Sequence, residues 1–156
     1  VWHQCGILNT KKMERMNEKA LRIVLKDHCS SYTELLCKVE RNSLYVQRLQ
    51  LLMTEVYKTV KGLAPPLTND LFLHAPNDYN TRSHERLIQP TFSTQRYGFN
   101  SISYQGASLW NSLPNTYKMC STVENFKSVI LKWQGPNCNC NTCLPCIFRV
   151  LPYDHG

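Results

Sequence analysis

Apolar residues recur at spacings of three and four from about Asn9 to Lys26, where Met13, Met16, Ala20, Ile23 and Val24 mark one face, joined by Leu21. That period predicts an amphipathic helix with these side chains turned toward a core. Ser31-Tyr32-Thr33-Glu34 has the form of a capping box, with Ser at the cap and Glu three residues on. A short second helix should therefore carry Leu35, Leu36 and Val39 inward. A third helix is predicted from near Ser43 to Gly62, because Leu44, Val46, Leu49, Leu52, Met53, Val56 and Val60 keep the helical period and Pro65-Pro66 forbids continuation. The expected first unit is three helices packed through Met16, Leu21, Val24, Leu36, Leu49, Met53 and Val56.

Beyond Ala64 the texture changes to proline breaks among Tyr, Thr, Ser and Asn, and no helical period lasts beyond a few residues before Pro114. Leu87-Ile88 and Phe99–Tyr104 are the best candidates for short strands. Ala107–Leu113 should form a short helix ended by Pro114, with Trp110 in a buried corner beside Tyr104, Leu109 and Leu113. Ser121 and Glu124 repeat the capping-box spacing, and Phe126, Val129, Ile130 and Trp133 predict a last amphipathic helix stopped by Gly135-Pro136. The expected fold is mainly α: a three-helix N-terminal unit over 1–62, then an irregular middle with short strands and one further C-terminal helix over 63–134. A disordered Cys-rich tail over 135–156 completes it.

With 156 residues the chain has no room for two large catalytic domains, and its 42% hydrophobic content is enough for a core. No window reaches eighteen consecutive apolar residues, so no membrane-spanning helix is expected. The chain opens on Val1 rather than Met and the opening lacks the pattern of a signal peptide, which reads as a piece of something longer. Charge is uneven: residues 1–61 hold eleven basic and six acidic side chains, a net of +5 out of the total of +7. Such a field favours phosphate-rich partners without fixing which nucleic acid.

Much of that charge forms a stripe. At about 100° per residue, Lys11, Arg15, Lys19, Arg22 and Lys26 fall within roughly an 80° arc of the first helix, with Glu14 and Glu18 to one side. Two readings stand: contact with a phosphate backbone, or a solvated face in which Glu14 and Glu18 pair with Lys and Arg one turn away.

Of eight cysteines, Cys5, Cys29, Cys37 and Cys120 are scattered and read as reduced, partly buried thiols of an intracellular protein. Cys138, Cys140, Cys143 and Cys146 crowd into nine residues, and His155 lies near enough to replace one sulfur. Four thiolates suit zinc, yet structural sites separate two such pairs by a dozen or more residues. Zinc, a disordered tail and disulfides all remain open. No near-adjacent carboxylates offer a magnesium site for polymerase or nuclease chemistry, His28-Cys29 lacks an orienting partner, and six glycines form no phosphate-binding loop. No catalytic residue is assigned.

Trp2-His3-x-Cys5, Lys12-Met13-Glu14-Arg15-Met16-Asn17-Glu18-Lys19-Ala20-Leu21-Arg22 and Ser31-Tyr32-Thr33-Glu34-Leu35-Leu36 are followed by Val56-Tyr57-Lys58 and Gly62-Leu63-Ala64-Pro65. Next come Tyr79-x-x-Arg82, Pro90-x-x-x-Thr94, Tyr97-Gly98, Ser103-Tyr104-x-Gly106-Ala107, Leu109-Trp110-Asn111-Ser112-Leu113-Pro114 and Phe126-Lys127. In this order and spacing they resemble the stretch after the polymerase core in reverse transcriptases of jockey-like non-LTR (LINE-type) retrotransposons. The Trp110-Asn111-x-Leu113-Pro114 block is the best marker. The resemblance implies a thumb-side, non-catalytic segment of an RNA-directed DNA polymerase whose endonuclease and palm lie upstream of Val1. It implies RNA or DNA as partner, the element RNA and target DNA of a nuclear or cytoplasmic ribonucleoprotein. It makes 1–62 thumb-like and gives the basic stripe a candidate ligand; a structural or protein-interaction relic is the alternative.

Overall fold

The computed structural model describes residues 7–75, 86–92, 98 and 101–136. Among them the chain is mainly α-helical: α1 (Ile7–Leu25), α2 (Tyr32–Lys38), α3 (Leu44–Val60), a 3₁₀ helix (Pro66–Leu71), α4 (Ile102–Ser112), α5 (Asn115–Lys118) and α6 (Val123–Ile130). Two compact units divide within α3, one reaching Leu49 and the other running from Gln50 to Pro136.

In the first unit, local signals set the helix ends. The Ser31 hydroxyl accepts the Glu34 N–H at 3.3 Å while the Glu34 carboxylate accepts the Ser31 N–H at 2.8 Å, so the capping box forms. Two helices close on non-glycine residues in the left-handed region, Lys26 at φ 52° and Glu40 at φ 53°. There the Asp27 N–H donates to Arg22 O at 3.1 Å and the Arg41 N–H to Leu36 O at 3.0 Å, the long-range bonds of a Schellman stop.

The face of α1 that is buried differs from the expected one. Met16, Ile23 and Val24, expected to face the core, are 68%, 72% and 75% exposed, Ala20 is exposed with them, and Leu21 is only half-buried. Thr10 and Glu14 point inward instead, at 1% and 2% exposure. The cause is a polar network. The Glu14 carboxylate accepts the Tyr32 hydroxyl at 2.6 Å and the N–H groups of Tyr45 at 2.7 Å and Leu44 at 3.3 Å. It thus satisfies donors left open at the first turn of α3 and places negative charge at the positive end of its dipole. Asn17 donates to the Tyr32 hydroxyl at 2.8 Å, and Ser43 accepts the Val46 N–H at 3.3 Å. Around this network Tyr32, Leu35, Leu36, Tyr45, Val46 and Leu49 are buried.

In the second unit, Met53, Val56 and Tyr57 of α3 are fully buried, as are Trp110 and Phe126. Tyr57 stacks on Phe126 with centroids 4.2 Å apart, and Trp110 lies 6.5 Å from each ring. The Tyr57 hydroxyl reaches out of this apolar cluster to donate to Cys120 O at 2.6 Å. Gln50 donates to Leu131 O at 3.1 Å and Trp133 O at 2.9 Å, holding the chain where it leaves α6. A methyl group at Gly106 would sit 2.5 Å from Phe72 and 3.0 Å from Val56, so the absence of a side chain there lets α4 approach closely.

Three expectations are corrected here. Phe99–Tyr104 is not a strand where it is described: Ser101 caps α4, accepting the Tyr104 N–H at 3.3 Å, and the helix starts at Ile102 rather than Ala107. Leu87-Ile88 supplies one antiparallel bridge, Leu87 to His74, and no longer strand. The last helix is capped by Thr122, whose hydroxyl accepts the Asn125 N–H at 3.2 Å, not by Ser121, and it ends at Ile130, well before Gly135.

Candidate nucleic-acid interface

α1 is a 19-residue helix, about 28 Å long at 1.5 Å per residue. With Glu14 and Thr10 anchoring its inner side, the phase of every other residue follows from the helical repeat. Lys11, Arg15 and Lys19 are exposed along one side, and Lys26 is exposed just beyond the C-terminal end. Among the described residues no carboxylate pairs with any of these four; the ion pairs there are Arg22–Glu18, Lys38–Asp27 and Lys58–Glu55.

Arg22 stands apart from the other stripe residues. It is bound to Glu18 at 2.7 Å and donates to His28 O at 2.9 Å, so its guanidinium braces the end of α1. Glu14, expected among the surface charges, is withdrawn into the interior and neutralises no lysine on the stripe. Lys12 is exposed and lies about 20° from Lys19 around the helix axis, so it extends the stripe. Its phase was readable in the sequence, but its place beside Met13 in the chain hid it.

The turn after α1 is fixed by Asp27. Its carboxylate accepts the N–H groups of Cys29 at 3.1 Å and Ser30 at 3.0 Å, the Ser30 hydroxyl at 2.6 Å and the Lys38 ammonium. Lys38 first, then Ser30, hold the Asp27 carboxyl well below the ordinary carboxylate range. This brace ties the end of α2 to the turn after α1.

Beside the inner side of α1 lies a cavity of about 270 Å³ lined by Asn17, Leu21, Leu36, Val39, Arg41, Leu44 and Gln47. Its volume falls below the roughly 300–1,000 Å³ usual for small-molecule sites.

Trp110, Asn111, Leu113 and Pro114 have architectural surroundings. Trp110 and Leu113 are buried, and Pro114 separates α4 from α5. The Asn111 side chain accepts the Leu87 N–H at 2.9 Å and donates to Leu87 O at 2.9 Å, mimicking a strand partner. The Lys118 ammonium sits 5.6 Å from the Trp110 ring centre.

Cys138, Cys140, Cys143, Cys146 and His155 lie outside the described residues. Among the described ones, no three His, Cys, Asp or Glu side chains are grouped to hold a metal. Cys29 and Cys37 are exposed free thiols rather than partly buried ones, whereas Cys120 is half-buried. No described helix is long and apolar enough to cross a membrane. No family model matches the chain, and neither does any curated protein or solved structure.

Proposed function

We propose that this chain is a non-catalytic, post-palm segment of a jockey-like non-LTR retrotransposon reverse transcriptase, and that α1 contacts the phosphate backbone of RNA or DNA. The observation that carries the binding role is the row of exposed cations Lys11, Arg15, Lys19 and Lys26, with no carboxylate partner among the described residues. A solvated helix face would be expected to interleave opposite charges at one-turn spacing. Here Glu14 is turned inward and Glu18 is taken by Arg22. In this reading the parent polypeptide supplies the polymerase chemistry, within a nuclear or cytoplasmic ribonucleoprotein, and this chain supplies no catalytic group.

The test is fluorescence anisotropy with a labelled RNA–DNA hybrid. Four phosphate contacts give a salt slope near −3.6, so affinity should fall by about two orders of magnitude between roughly 50 and 200 mM salt. Lys11→Glu/Arg15→Glu/Lys19→Glu should abolish binding. Absence of binding at low salt, or affinity indifferent to salt, would leave a structural or protein-interaction fragment as the better account. That second reading is favoured by one observation, the exposed apolar residues of the same helix.

A further inference from the structure

Next to the basic stripe, α1 exposes a second feature that phosphate binding does not use. Met16, Ile23 and Val24 are 68%, 72% and 75% exposed, and Ala20 between them is exposed as well. Around the helix axis these four span about 100°, and Lys12 and Lys19 lie within about 40° of Ile23 along one edge. The other edge runs into the buried side marked by Thr10 and Glu14.

We propose that this strip is a docking surface for an amphipathic helix of a partner protein, with apolar residues on its contact face and Asp or Glu along the edge that meets Lys12 and Lys19. The spacing 16, 20, 23, 24 is that of a helix–helix seam, in which side chains three and four apart form the ridge that a second helix straddles. Contiguous exposed apolar surface beside charge marks an interaction site. The one-sided row of cations chooses an acidic partner over a neutral one. Nucleic acid does not fit the strip, because sequence-tolerant binding of bases relies on aromatic stacking and these side chains are aliphatic. An anionic bilayer fits less well, since interfacial helices anchor through Trp, Phe and Leu, none of which the strip contains. A second copy of this chain, paired antiparallel through the strip, would set two basic rows side by side.

The experiment uses the full chain and a fluorescein-labelled helical peptide of about 18 residues, with Leu on one face and Glu along its flanks. Saturable binding at low salt is expected. It should weaken about tenfold or more in Met16→Gln/Ile23→Gln/Val24→Gln, which keeps helix propensity and charge. A peptide with Lys in place of Glu should bind at least tenfold more weakly. Circular dichroism should be unchanged in the variant, because all three side chains already face solvent. The RNA–DNA hybrid should bind parent and variant alike, so failure of the phosphate reading alone would leave peptide binding intact. The proposal is overturned if the Glu peptide does not bind or binds both proteins equally. It is equally overturned if the substitution abolishes hybrid binding, self-association, or binding to phosphatidylserine vesicles instead.

Discussion

Removing the Glu14 carboxylate tests the least expected feature of the fold. Three donors converge on it, the Tyr32 hydroxyl at 2.6 Å and the Tyr45 and Leu44 N–H groups at 2.7 and 3.3 Å, at a site only 2% exposed. Hydrogen bonds to a charged group contribute about 1.5–3 kcal/mol each, and a carboxylate at a helix N-terminus adds roughly 0.3–2 kcal/mol. Desolvation of the carboxylate offsets much of that sum, whereas deletion leaves buried donors unmet; Glu14→Ala should therefore cost about 3–5 kcal/mol. Glu14→Gln keeps one acceptor but turns an amide toward Leu44 N–H or Tyr32, and about 1–2 kcal/mol is expected. Urea unfolding followed by far-UV circular dichroism measures both, with Tyr32→Phe completing a double-mutant cycle. The reasoning is refuted if the Ala variant lies within about 1 kcal/mol of the parent, or if Gln costs as much as Ala.

Three further outcomes are expected. Asn111→Ala should destabilise by about 1–3 kcal/mol, because both backbone groups of Leu87 lose their partner; amide exchange at Leu87 should rise with it. Glu40→Gly should raise the unfolding midpoint, with a gain of about 1 kcal/mol, since glycine adopts the positive φ at that helix stop without a Cβ penalty. Asp27→Asn should destabilise at neutral pH but not in acid. The depressed folded pKa means that Asp27 contributes stability above the ordinary value of 3.8 and loses it as the pH falls below, so the two unfolding curves should converge there.

The sequence determined whatever depends on neighbours in the chain. Ser31 and Glu34 form their capping box three residues apart, and α3 ends at Val60 with Pro65-Pro66 beyond it. The burial of Leu49, Met53 and Val56 followed from helical period, because the polar residues buried beside them, Gln50 and Thr54, bond to backbone carbonyls and leave the apolar phase of α3 in place. The row of basic residues on α1 was legible for the same reason, as a matter of phase alone.

Where a distant partner decides, the local pattern misleads. On α1 the apolar period pointed to Met16 and Val24 as core, yet Glu14 is buried because donors 18 and 31 residues away, at Tyr32 and Tyr45, compensate its desolvation. Nothing near Glu14 in the chain signals those donors. Asn111 pairs with Leu87 across 24 residues, and Gln50 reaches Trp133 across 83, so neither side chain could be assigned a role from its own segment. Serine spacing at Ser101 and Ser103 imitated strand alternation, whereas the Ser101 cap and burial of Ala107 and Trp110 made the segment helical from Ile102. The period of apolar residues tells which side of a helix could be buried; tertiary hydrogen bonds decided which side is, because one satisfied carboxylate outweighed the three large apolar side chains of Met16, Ile23 and Val24 that stay exposed.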